Sequence, residues 1–173
     1  MTASALFRPA LCLSFAALTT ACALPSGGGG GADGGPHEEL RAEIVRSIAY
    51  EAVAPSFAAV ESEAATLVSA TEAYAAATDE ADRNAARDEA RVAWFSAMQA
   101  WQRVEMMQLG PAGSSAKAIG GADRRDEIYS WPSTNSCRVD QELVLGEYAD
   151  EDFISSRLVN TYGLDALEYL LFN

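Results

Sequence analysis

Basic residues, histidine and usable cysteine are all scarce in this sequence. Lys and Arg number 12 against 25 Asp and Glu, a net charge of -13. Nucleic acid is therefore not expected as a partner, because phosphate binding needs clustered cations. The acidic surface suits solubility or cation binding and does not by itself separate the two. The one histidine, His37, lies beside a glycine-rich stretch and reads as a surface residue rather than a ligand. Of the three cysteines, Cys12 falls in an apolar N-terminal segment and Cys22 follows it directly, which leaves Cys137 with no partner for an internal disulfide. Either that thiol is buried and inert, or its partner is on another chain or on a part of this one that is absent. No apolar run reaches the length of a transmembrane helix. No segment alternates with period two, and no repeat has a solenoid period.

What is present is a chain of 173 residues that is 49% apolar, enough for one domain with a core. Arg8 followed by the apolar run Ala10 to Leu18 has the form of an export signal. Leu18-Thr19-Thr20-Ala21-Cys22 resembles a bacterial lipobox with Thr19 in place of the usual large apolar residue, so residues 1–21 are expected to be a lipoprotein signal and Cys22 the lipidated first residue. Ordinary cleavage after Ala21 or Ala23, giving a soluble periplasmic protein, fits the same small residues. Residues 22–36, with Gly27 to Gly31, Gly34 and Gly35, form a flexible spacer suited to holding a domain off a membrane. The expected location is the cell envelope, lipid-anchored and facing the periplasm or the cell surface.

From His37 to Leu109 the sequence is rich in Ala, Glu and Arg, with Pro55 as its only proline. Helices are predicted over His37 to Val53, over Ser56 to Ala77 beyond a kink or break at Pro55, and from Asp79 to Leu109, stopped by Gly110-Pro111. Residues 111–138 read as a long loop with one short helix near Arg124 to Tyr129, and loops of that length are often functional. Gln141 to Leu145, Asp150 to Leu158 and Tyr162 to Phe172 complete the set. The class is all-α, most simply an up-down helical bundle.

Two polar placements stand out. Projected at about 100° per residue, Trp94, Met98, Trp101 and Leu109 form one apolar stripe, and Glu105 falls in its middle. A carboxylate there needs an Arg, a metal or its own proton, unless it sits where the bundle end opens to water. Arg91 shares the face but lies several turns away. In the last helix Leu164, Leu167, Leu170 and Leu171 make the buried arc, with Glu168 on its border and Asp165 further round. Spaced i, i+3, these two acids could reach a common cation or could simply be solvated.

Gly163-Leu164-Asp165-Ala166-Leu167-Glu168-Tyr169-Leu170-Leu171-Phe172 resembles the G-x-H-x-x-E segment of the imelysin family. Trp94 with Ala100-Trp101-Gln102-Arg103-Val104-Glu105 before Gly110-Pro111 resembles that family's tryptophan-rich helix, and Ile128-Tyr129-Ser130-Trp131-Pro132 with Cys137-Arg138-Val139-Asp140-Gln141 its Trp-Pro loop. The resemblance runs from about Ala42 onward and implies one half of a two-bundle architecture over residues 37–173, ending shortly after a motif that lies mid-chain in the family. It further implies a periplasmic or outer-membrane protein linked to metal, iron in particular, or acting as a metallopeptidase. Glu168 matches the motif Glu, while Asp165 stands where the ligand His should be. That exchange favours hard cations such as iron(III) or calcium over zinc. The expected metal residues are thus Asp165, Glu168 and Glu105, with a non-catalytic metal-binding role set against two alternatives. One is a metallopeptidase; the other is a structural half-domain that needs a second imelysin half or associates with itself.

Overall fold

The computed structural model describes residues 36–130 and 135–173. The expected signal, Cys22, the spacer up to Gly35 and Trp131-Pro132 lie outside those residues. Among the described residues every regular element is helical, as an all-α chain requires. None of these helices is long and apolar enough to cross a membrane.

Helix α1 (Pro36–Ser47) passes through a π-helical turn (Ile48–Val53) into α2 (Ala54–Ala76). Proline lacks an N–H, and its ring would press on the carbonyl four residues back. The chain does not break here, because the ladder widens before Pro55 arrives. The Ala54 N–H donates to the Ala49 carbonyl five residues back, and Pro55 occupies the first turn of α2. The Ser56 hydroxyl donates to the Ala52 carbonyl at 2.6 Å.

Ala77 turns the chain out of α2 with an extended backbone, and Asp79 starts α3 (Glu80–Val104) by accepting the Asp82 N–H at 2.9 Å. Helix α3 runs back along α2. It stops a turn earlier than predicted: Glu105–Met107 tightens into a 3-10 turn, and Gln108 takes the left-handed conformation at φ 44°. Leu109 therefore leaves the apolar stripe and is half-exposed. Four shorter helices follow: α4 (Arg125–Ile128), α5 (Ser136–Leu145), α6 (Phe153–Ser156) and α7 (Leu164–Phe172). Helix α5 begins five residues before its predicted start, because Asn135 caps it by accepting the Arg138 N–H.

Leu67 of α2, Ala90, Ala93, Trp94, Ala97, Met98, Trp101 and Val104 of α3, and Leu171 of α7 form the core. Two polar ties seat α7 on α3. The Trp94 indole N–H donates to the Leu164 carbonyl at 2.8 Å, and Arg91 Nε donates to the Leu171 carbonyl at 2.6 Å. Arg91 also pairs with Asp88, so its charge is used on α3 and at the end of α7 rather than at Glu105.

Candidate functional site: a tyrosine among three carboxylates

Gly163 sets the site. Its φ of +92° suits a residue without Cβ, and a Cβ there would lie 2.7 Å from the Glu127 carbonyl oxygen and 2.9 Å from that of Ile128. That close approach lays the first turn of α7 against the extended residues Tyr129 and Ser130, which leave α4. Consecutive residues of one segment then meet acids one turn apart on the helix. The Ser130 hydroxyl donates to Asp165 Oδ2 at 2.5 Å, and the Tyr129 hydroxyl donates to Glu168 Oε2 at 3.5 Å.

The two acids differ in setting. Asp165 is 2% exposed and Glu168 half-buried. The helical projection had placed Asp165 furthest from the buried arc, and the structure corrects this: a projection assumes one covered side, whereas α7 is covered on two. Leu164, Leu167 and Leu171 pack toward the core, Ser130 bonds to Asp165, and Val139 and Leu143 of α5 lie beside Ala166. Leu170, assigned to the buried arc, is 41% exposed. Asp165 is thus not a solvated surface acid.

Glu105, half-buried at the end of α3, lines a polar cleft of about 550 Å³ with Gln102, Arg125 and Tyr129. Tyr129 connects this cleft to α7. Burial pushes its phenol above the usual 10.0, and the negative charges of Glu168, Asp165 and Glu105 push it the same way. Of the three acids singled out in the sequence, Glu168 accepts from the Tyr129 hydroxyl, Glu105 shares its cleft and Asp165 bonds to the neighbouring Ser130, and among the described residues no three His, Cys, Asp or Glu side chains form a metal cage.

Tyr129 and Ser130 are the site residues that sequence reasoning did not assign. Both lie in the segment before Trp131-Pro132, and their signal was a hydroxyl pair next to a Trp-Pro loop in an otherwise irregular stretch. Cys137, in the first turn of α5, is exposed and free among the described residues, so it is not the buried inert thiol that one reading required.

Compared with known proteins, residues 53–173 match the family model described as imelysin, peptidase M75. No curated protein and no solved structure matches the chain.

Proposed function

The chain belongs to the imelysin family, and on that premise we propose that it is a non-catalytic envelope protein that associates with a hard cation through Glu168 and Glu105. The observation that supports this reading is the hydrogen bond from the Tyr129 hydroxyl to Glu168, with Tyr129 lining the same polar cleft as Glu105. The donor set is all oxygen, which suits calcium or iron(III) better than zinc. Glu168 and Glu105 would hold the ion. Asp165, buried and bonded to Ser130, acts by fixing the first turn of α7.

The imelysin-type peptidase is the weaker reading. Zinc activation of water draws on imidazole or carboxylate ligands with an open position and a general base. Here the motif His is replaced by a buried Asp already engaged by Ser130, and the one histidine, His37, is exposed on α1.

Calorimetric titration with calcium and with an iron(III) chelate tests the proposal. Binding should weaken by about tenfold or more in Glu168→Gln. No heat with either ion, or binding indifferent to that substitution, would overturn it. Anchoring through Cys22 is proposed from Leu18 to Cys22 and the glycine spacer that follows. Labelled palmitate should enter the protein and be lost in Cys22→Ser, and label that persists in that variant would refute the anchor.

A further inference from the structure

A cation held by Glu168 and Glu105 leaves two features of the cleft beside them unaccounted for. The first is coordination. Calcium takes about six to eight oxygens and a carboxylate supplies one or two, so these side chains provide roughly two to four. Among the described residues no three His, Cys, Asp or Glu side chains stand together to complete the shell, and the Tyr129 hydroxyl already donates to Glu168. The second feature is size and sign. A cleft of about 550 Å³ lies in the range of small-molecule sites and is far larger than an ion. Its wall also carries a guanidinium, Arg125, whose charge opposes a bare cation. Asp126, the acid that pairs with Arg125, lines a second cleft of about 200 Å³ and is not among the described residues that line this one.

We propose that the cleft takes the cation already complexed by a small polycarboxylate, and that Arg125 selects this complex over the bare ion. The inference rests on the cation reading of Glu168 and Glu105. Oxygens of the chelator complete the coordination that the two glutamates leave open, and an outer carboxylate of the chelator meets Arg125. Guanidinium suits that contact because its planar fork donates two parallel N–H bonds to a carboxylate. The fork can be released for it. Arg125 Nε and Nη2 both donate to a single Asp126 oxygen, at 3.0 and 2.8 Å, and the two side chains are 46% and 57% exposed. An ion pair so open to water contributes little, so a ligand carboxylate competes with it readily. Opposite charges then meet at each contact: protein carboxylate with metal, chelator carboxylate with guanidinium.

Calorimetry on the full chain with three titrants tests this: calcium chloride, citrate alone, and iron(III) with excess citrate. Arg125→Gln should weaken binding of iron(III) citrate by about tenfold or more. The same variant should bind calcium chloride as well as the parent or more tightly, because an opposing charge is gone. Arg125→Lys keeps the charge and loses the fork, so its affinity for iron(III) citrate should fall between the two. Citrate alone should bind much more weakly than its iron complex, since Glu105 and Glu168 repel it. Iron(III) citrate binding that is weakened by Glu168→Gln but indifferent to Arg125→Gln would overturn the chelate and leave the cation site standing. Equal losses of calcium and iron(III) citrate in Arg125→Gln would reduce Arg125 to a structural role and overturn the selection. Citrate that binds as tightly alone as with iron would make the cleft an anion site, which also overturns it. No heat with any titrant would remove the cation site and the chelate together.

Discussion

Helices α2 and α3 lie side by side, are nearly equal in length and are both rich in alanine, yet they are buried to very different degrees. Helix α3 buries eight residues and α2 only Leu67. Composition does not explain this. Phe57, Val60, Ala70 and Tyr74 give α2 an apolar face on the core, and most of its remaining surface is exposed among the described residues. Helix α3 has α2 on one side and α7 on another, so Trp94, Met98, Trp101 and Val104 are enclosed. Burial follows the neighbours a helix has among the described residues.

The sharpest way to break this comparison is to truncate a large apolar residue on each helix. Trp101 is 1% exposed, so Trp101→Ala should destabilise the protein by about 3–5 kcal/mol. Val68 on α2 is 55% exposed, and Val68→Ala should stay within about 0.5 kcal/mol. Urea unfolding measures both, and comparable losses would mean that α2 is as enclosed as α3.

The same distinction governs how much could be read from the sequence. The long helices were legible because their signals are local: alanine content, the Asp79 cap and the Trp94–Met98–Trp101 spacing each act within a few residues. The Pro55 outcome was not legible, since proline forbids one hydrogen bond but does not dictate whether the chain answers with a break or a π turn. Glu105, Glu168 and Asp165 were found as odd members of helical patterns. Their common focus was not found, because Tyr129 is far from all three in sequence and is brought to them by Gly163 closing on Glu127 and Ile128. Asp165 was misplaced for a related reason: Ser130, which bonds to it, lies outside any projection of α7.

A second comparison lies within α7, between the side tied to α3 and the side tied to Ser130. Removing the hydroxyl in Ser130→Ala takes one hydrogen bond from a nearly fully buried carboxylate. The expected cost is about 1–3 kcal/mol in thermal or chemical unfolding, smaller than the Trp101 truncation. A variant as stable as the parent would show that the Asp165 carboxylate is held by its other contacts and that the α3 side alone secures the helix.

The smallest effect concerns charge, and it separates burial from electrostatics at Tyr129. Its phenol is raised first by burial and then by Glu168, so neutralising Glu168 should bring it part of the way down and leave it above 10.0. Absorbance of the phenolate band, taken as the difference from Tyr129→Phe, should show the titration moving to lower pH in Glu168→Gln. The sign for stability follows from linkage. The folded state holds this proton more tightly than the unfolded chain, so the contribution is full below about pH 10 and is lost as pH rises through the folded value. Stability of the parent should therefore fall in alkali more steeply than that of Tyr129→Phe, with Glu168→Gln between the two. If Glu168→Gln leaves the titration where it was, burial alone sets the phenol, and Tyr129 is a packed core residue that happens to lie near three acids rather than the group that joins them.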